Sequence, residues 1–311
     1  MIQFLQEDMR HMNMASKKNI LIAGGTGFIG KRFVELAKKE YNCFILTRQD
    51  IVSKDNVNYI KCDLTSLTQE FIDELVSKNK FDSIVYMAAN IPLIGQKKEN
   101  YVDAMYSTLE PFVRFAQYTH KICKKFIYIS SIDVVGIPKI TEYDEKIALK
   151  PFTPYAIAKL AGEEYIKSIA LTGNLDLTIL RYSQVFGENE PIVRIIPLLL
   201  DCIKNNKTFN LYGTGAEKRK FLYVEDAANA ILCALKSDKV GTYNIAGKSI
   251  ESIKELIEIT QRVFNKKLEI NHVEFNGTTF DNVPSNEAAK EIGYEPKYTL
   301  ENGIRKMYNA L

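Results

Sequence analysis

The chain has 311 residues, 46% of them hydrophobic and 25% charged, with 41 basic against 38 acidic side chains for a formal charge of +3. That length buries a substantial core, as one large domain or two smaller ones. The near-balance of charge, without a basic block, argues against nucleic acid or an anionic membrane as partner. The longest apolar run, 195–200, contains Pro197 and falls far short of the roughly 20 residues of a membrane span.

In chain order, residues 1–16 come first. Glu7, Asp8 and Arg10 interrupt any apolar stretch there, so the segment lacks the core of a secretory signal and reads as a loose extension. From Asn19 onward apolar strands alternate with amphipathic helices. Strands are predicted at 19–24, 41–47, 57–62, 83–88, 125–131 and 176–182, and helices at 29–40, 67–78, 99–120 and 155–171. This alternation is that of an α/β protein with a parallel, doubly wound sheet. Ser66 with Gln69 makes a capping box for the second helix. After Leu180 the rhythm changes. A helix at 193–205 and a short strand at 208–211 precede a helix from Val224 that returns to the sheet, and helices at 251–264 and 285–292 suit a smaller cap.

The first strand runs into Gly24-Gly25-Thr26-Gly27-Phe28-Ile29-Gly30 and then into helix-forming residues 31–40. Glycines at 24, 27 and 30 suit a tight turn, a backbone close to a pyrophosphate, and a helix packed hard on the strand. The first amides of that helix would hold the anion. Alone, such a stretch is also an ordinary turn; strand and helix on either side narrow the reading. At the end of the second strand an NAD-selective fold places an acid against the ribose hydroxyls, but here stand Thr47 and Arg48. An acid would repel a 2′-phosphate and an arginine attracts it, which favours NADP(H). NAD(H) stays open because Asp50 is near enough to reach the ribose, and Arg48 also reads as a solvated surface cation.

Ser131 closes the run Phe126-Ile127-Tyr128-Ile129-Ser130-Ser131, so its hydroxyl emerges at a strand's carboxyl end, where open α/β sheets bind ligands. Thr153-Pro154 opens a helix that puts Tyr155 and Lys159 on one face. A tyrosine titrates near ~10, and a fixed ammonium beside it favours the phenolate and is expected to lower that value. The cysteines at 43, 62, 123, 202 and 233 are odd in number and form no CxxC, as suits reduced core residues of a cytoplasmic protein. His11, His120 and His272 match no metal spacing, and no metal site is expected.

Taken together, Gly24 to Gly30, Ser131 and the Tyr155/Lys159 pair resemble the extended short-chain dehydrogenase/reductases, the nucleotide-sugar epimerase/dehydratase family. The resemblance covers nearly the whole chain. Cys62-Asp63-Leu64, Met87-Ala88-Ala89, the segment 180–187, Tyr212-Gly213-Thr214-Gly215, and the segments 219–226 and 241–245 follow the family's order and spacing. It implies a Rossmann dinucleotide-binding domain of residues 17–180 plus 221–240, a smaller α/β substrate-binding domain of 181–220 plus 241–311, and an active cleft between them. It also implies cofactor contacts from Gly24, Thr26, Gly27, Phe28, Ile29 and Gly30. Asp63 and Leu64 would meet the adenine, although Asp63 before Leu64-Thr65-Ser66 also reads as turn chemistry. Ala88 and Ala89 would leave room for the cofactor ribose and diphosphate.

For the chemistry, the resemblance implies that Tyr155 gives a proton to a carbonyl oxygen while NADPH delivers hydride to its carbon. Lys159 would tune Tyr155 and hold the nicotinamide ribose, and Ser131 would polarise the carbonyl. Arg219 would clamp the diphosphate of a nucleotide sugar, with Gln184 nearby where many relatives have asparagine. Relatives often form homodimers through helices equivalent to 99–120 and 155–171. The 4,6-dehydratases carry Thr-Asp-Glu after the fifth strand, whereas this chain has Ser131-Ile132-Asp133. Isoleucine cannot donate a proton, so dehydration is disfavoured. The first expectation is therefore an NADP(H)-dependent nucleotide-sugar oxidoreductase reducing a 4-keto-6-deoxy sugar. The second is an NAD-dependent nucleotide-sugar 4-epimerase. A third, a non-catalytic NADP(H)-sensing module, predicts a damaged catalytic set, and Ser131, Tyr155 and Lys159 are intact.

Overall fold

The structure, a computed structural model, describes residues 17–91, 100–191 and 194–310, so the extension expected over 1–16 lies outside the described residues. Seven strands build the central sheet: β1 (Lys18–Ala23), β2 (Tyr41–Thr47), β3 (Val57–Lys61), β4 (Ser83–Tyr86), β5 (Lys125–Ser131), β6 (Asp176–Tyr182) and β7 (Gly241–Ile245). Their order is β3-β2-β1-β4-β5-β6-β7, and every neighbouring pair is parallel. The order reverses beside β1, between it and β4, which opens a crevice outside the carboxyl ends of the strands.

Among the described residues the α-helices are α1 (Phe28–Ala37), α2 (Gln69–Lys78), α3 (Asn100–Thr119), α4 (Pro154–Thr172), α5 (Ile195–Lys204), α6 (Val224–Lys236), α7 (Ile253–Phe264) and α8 (Leu300–Asn309). None is long and apolar enough to cross a membrane. The sheet is apolar on both faces because helices cover both. Ile20 and Ile22 of β1 join a core with Phe33 and Val34 of α1 and Ala227 and Ile231 of α6. Leu21 and Ala23 join a second core with Ile72 of α2, Phe112 and Phe115 of α3, and Ile166 of α4. Each Val, Leu, Ile or Phe among these contributes about 1.5–3 kcal/mol on burial. Rings of Tyr86, Phe112, Phe115 and Tyr128 pack at centroid distances of 4.3–5.1 Å in this second core. The first core continues past the sheet into α5, α7 and α8 through Leu199, Leu256 and Ile304. There the strand pair Phe209–Tyr212 and Ile270–Val273 forms a small parallel ribbon outside the central sheet.

Four differences from the sequence expectations have local causes. β4 stops at Tyr86, and Met87 N–H still donates to Ala23 O at 2.9 Å before the chain departs through Ala88. The Ser66/Gln69 capping box does not form. Leu64–Ser66 is a separate 3-10 turn, and Leu67, 2% exposed and extended at φ −60°, ψ 134°, ends it by turning into the core. Thr68 caps α2 instead, accepting from Phe71 N–H at 3.3 Å. Of 285–292 only Ala288–Ile292 coils, as a 3-10 turn closed by Gly293 at φ +79°. Finally, 241–245, which the domain division assigned to the cap, is the outermost strand of the sheet, paired with β6 from Gly241↔Thr178 to Ile245↔Tyr182.

Candidate active site

The glycine-rich loop connects β1 to α1 at the reversal point. Gly24 has φ +91°, and a Cβ there would stand 2.7 Å from Ala88 N, so the loop lies directly against the chain leaving β4. A Cβ on Gly30 would stand 2.2 Å from Gly24 O, which is how closely the first turn of α1 packs on the loop. Gly27 starts α1 with no side-chain cap and no acid in its first turn. The helix therefore presents backbone N–H groups and the positive end of its dipole to an anion, and a dinucleotide diphosphate fits them.

At the carboxyl ends of β2 and β3, Thr47 is buried and Arg48 is exposed. Asp50 is engaged by Lys61 Nζ at 2.7 Å. Asp63 carries out the turn chemistry its sequence suggested: its Oδ1 accepts Thr65 N–H at 3.0 Å and the Thr65 hydroxyl at 2.8 Å. These bonds, and then the charge of Arg48, hold its carboxyl below the usual range.

Ser131 ends β5, and its hydroxyl accepts Asp133 N–H at 3.2 Å, which opens the 3-10 turn Ile132–Val135. Thr153 caps α4 by accepting Ala156 N–H at 3.2 Å, with Pro154 in the first turn. That start fixes the helical phase that brings Tyr155 and Lys159 to the cleft beside Ser131. Lys159 is 2% exposed; its Nζ donates to Ile129 O at 2.8 Å and lies 5.1 Å from the Tyr128 ring centre and 6.0 Å from that of Tyr155. Burial lowers its pKa to about 7, against the charge of Glu163.

The expected lowering of the Tyr155 pKa does not occur. Burial pushes the phenol well above its ordinary value, Asp133 pushes the same way, and Arg194 only partly opposes them. The ammonium meant to stabilise the phenolate is bonded to the Ile129 carbonyl and is itself weakened by desolvation. Asp133 opens to the cleft yet sits deep in it: burial raises its pKa, with the Ser131 hydroxyl and Arg194 opposing.

One cleft of about 940 Å³ gathers most of the expected groups: Gly24, Gly27, Phe28, Ile29, Gly30, Ala89, Ser131, Tyr155, Lys159, Gln184 and Arg219. Thr26, Arg48, Asp63, Leu64 and Ala88 are not on its lining. Arg219 Nη1 donates to Phe280 O at 2.5 Å and Lys218 O at 2.9 Å, and its guanidinium stacks 5.2 Å from the Phe280 ring centre. Sequence reasoning missed Arg194, Phe280 and Asn282 on this wall and gave Asp133 no role in the site. Arg194 is held by Glu190 Oε1 at 2.6 Å and Val185 O at 2.7 Å. Its signal was a lone cation just before an apolar helix. Phe280 and Asn282 lie in an irregular segment with no periodicity to find.

A family model described as the NAD dependent epimerase/dehydratase family matches residues 20–246. A dTDP-4-dehydro-6-deoxyglucose reductase of Escherichia coli is 27% identical, covering 96% of this chain and 98% of its own. A putative UDP-glucose 4-epimerase of Methanocaldococcus jannaschii is also 27% identical, over 93% of this chain and 97% of its own. Among solved structures, a UDP-N-acetylglucosamine 4-epimerase from Methanobrevibacter ruminantium superposes with a TM-score of 0.82 at 24% identity, covering 94% of this chain and 98% of the other. A UDP-glucuronic acid 4-epimerase from Bacillus cereus in complex with NAD gives 0.81 at 22%, over 94% and 97%. At these identities the structural likeness concerns the fold.

Proposed function

The chain belongs to the NAD dependent epimerase/dehydratase family, and on that premise we propose that it is an NADP(H)-dependent oxidoreductase reducing a 4-keto-6-deoxy sugar carried on a nucleotide. The observation that carries this reading is the convergence of Ser131, Tyr155 and Lys159 with the glycine loop on one cleft. Burial and Asp133 favour the neutral phenol of Tyr155, so the group holds the proton that a carbonyl oxygen would receive. Ile132 adds to the case by removing a proton donor that elimination of water would need.

The glycine loop and the first turn of α1 hold the dinucleotide diphosphate, and the bound cofactor supplies the hydride that no side chain can. Ser131 donates a hydrogen bond to the substrate carbonyl oxygen and polarises it. Tyr155 passes its proton to that oxygen as charge develops, leaving a phenolate that the ammonium of Lys159, 6.0 Å from the ring centre, offsets only at a distance until a solvent proton restores the phenol. Arg219, its guanidinium already oriented by the Phe280 and Lys218 carbonyls, pairs with the nucleotide diphosphate. Arg219→Lys is expected to raise KM for the nucleotide sugar about tenfold with kcat little changed, because a point charge cannot reproduce the fork. Steady-state kinetics at saturating NADPH read both constants, and an unchanged KM removes Arg219 from the substrate contacts.

The preference for NADP(H) is supported by Thr47 and Arg48 standing where an acid would reject a 2′-phosphate, and by the engagement of Asp50 with Lys61. Arg48→Asp is expected to invert the ratio of NADPH to NADH affinities, with a loss of about tenfold or more for NADPH. Fluorescence titration with both dinucleotides checks this, and a clear NADH preference in the unmodified protein ends the role of Arg48. The second reading, an NAD-dependent nucleotide-sugar 4-epimerase, draws support from the similar Methanocaldococcus protein. Incubation with a panel of sugar nucleotides and 4-keto sugar nucleotides separates the readings: net NADPH consumption, an isomerised product without net redox change, or neither, as a cofactor sensor would give.

A further inference from the structure

Behind the cleft, α4 continues a stripe whose last member the proposed chemistry does not use. Tyr155, Lys159 and Glu163 are spaced four residues apart on α4 and project from one side of it. Glu163 is fully buried. Its Oε1 accepts from Ser130 Oγ at 2.5 Å and Arg181 Nε at 3.0 Å, and its Oε2 accepts from Arg181 Nη2 at 2.7 Å. Arg181 is 3% exposed, and its Nη1 has no hydrogen-bond partner among the described residues. Lys167 Nζ stands 3.6 Å from the same carboxylate at the surface side.

The network meets the catalytic groups at the end of β5, where three consecutive residues divide the work. The Ile129 carbonyl holds Lys159, the Ser130 hydroxyl holds Glu163, and Ser131 faces the cleft. Arg181 lies beside Ser130 on β6, in register. Stability alone gives no reason for this arrangement, because a buried ion pair is commonly matched by apolar residues of the same volume. Its position one turn beyond Lys159 does give one.

We propose that Glu163 is a positioning residue for the Ser131, Tyr155 and Lys159 set, fixing the phase of α4 against β5 and holding a negative charge against the buried ammonium of Lys159. The proposal rests on the reading of Tyr155 and Lys159 as the proton-transfer pair. The groups around Lys159 are Tyr155 and Glu163 on its own helix, and the Tyr128 ring and Ile129 carbonyl on β5. Of these Glu163 favours the ammonium, against the desolvation that brings Lys159 down to about 7. A lysine with a lowered pKa loses its charge as pH rises through that value. Removal of the carboxylate moves the loss to still lower pH. A brace with no electrostatic role would cost thermal stability and leave the titration where it was.

Lysine side-chain NMR of the full chain reads this directly. The Lys159 Nζ signal is identified by its disappearance in Lys159→Met and followed from about pH 5 to about pH 10. In Glu163→Gln the midpoint is expected to fall by about one unit, a tenfold loss of proton affinity, and the high-pH limb of kcat for NADPH oxidation is expected to fall with it. The single substitution orphans Arg181, so Glu163→Gln/Arg181→Gln replaces both charges. Loss of the guanidinium bonded to Glu163 acts on Lys159 in the opposite sense to loss of the carboxylate, so the double variant is compared with Arg181→Gln alone, below which its midpoint is expected to fall. An unmoved midpoint in either folded comparison overturns the proposal. The titration needs no turnover, so a wild-type chain that oxidises NADPH with no keto sugar nucleotide defeats the catalytic reading separately.

Discussion

Tyr155→Phe is expected to lower kcat by about 10²–10⁴-fold, the range that a positioned general acid supplies. Dinucleotide affinity and melting temperature are expected to stay near those of the parent chain, because the substitution deletes one oxygen and leaves the ring in place 6.0 Å from Lys159 Nζ. Single-turnover oxidation of bound NADPH, with a fluorescence titration for cofactor affinity, separates chemistry from binding. Near-normal turnover would contradict the assignment of the proton donor. The pH dependence carries a second check with a definite sign. Tyr155 stays protonated through neutrality, so reduction does not wait for its ionisation. Lys159 loses its charge as pH rises through about 7, so kcat is expected to decline on the alkaline side of that point.

A larger structural effect is expected at the opposite wall of the cleft. In Gly30→Ala the new methyl would stand 2.2 Å from Gly24 O and 2.8 Å from Gly25 backbone atoms, none of which is the end of a flexible side chain. Either α1 is pushed off the loop or the loop deforms, at a cost of about 1–3 kcal/mol for overpacking. Both outcomes misplace the helix amides, so dinucleotide affinity is expected to drop more than about tenfold. Gly293→Ala is the control. It also carries a positive φ, +79°, but a Cβ there meets nothing within 4 Å, so only conformational strain of about 1 kcal/mol is expected and cofactor binding is spared. Thermal melts and isothermal titration of both variants would distinguish crowding at the loop from a general intolerance of β-carbons.

The sequence announced those parts of the site that are contiguous in it. Gly24 to Gly30 carried its own strand and helix on either side, and Tyr155 with Lys159 carried a four-residue spacing after Thr153-Pro154. Both are statements about one helical turn, and the structure places Gly24, Gly27, Phe28, Ile29, Gly30, Tyr155 and Lys159 on the lining of one cleft. What escaped was decided by distant contacts or by a single competing side chain. The strand 241–245 reads Gly-Thr-Tyr-Asn-Ile, without the apolar run of the inner strands, and only its pairing with β6 makes it part of the sheet. The capping box failed because Leu67 prefers the core to a helical turn. Asp133 and Arg194 oppose each other electrostatically around Tyr155, so the direction of its pKa depended on burial that no spacing reveals. Asn282 joins the wall from far along the chain, where it accepts the Tyr143 hydroxyl across the strand pair Glu142–Tyr143 and Val283–Pro284.

The seventh strand also sets a timetable for synthesis. A nascent chain that has emerged only as far as residue 240 carries an unpaired edge along Thr178 to Tyr182, a row of free amides and carbonyls flanked by Ile179 and Leu180. Completion of the nucleotide-binding layer must await a segment made some 60 residues after β6. Until then the ribosome-bound intermediate exposes an adhesive margin, while α5 and α6, made between those two events, are already in hand.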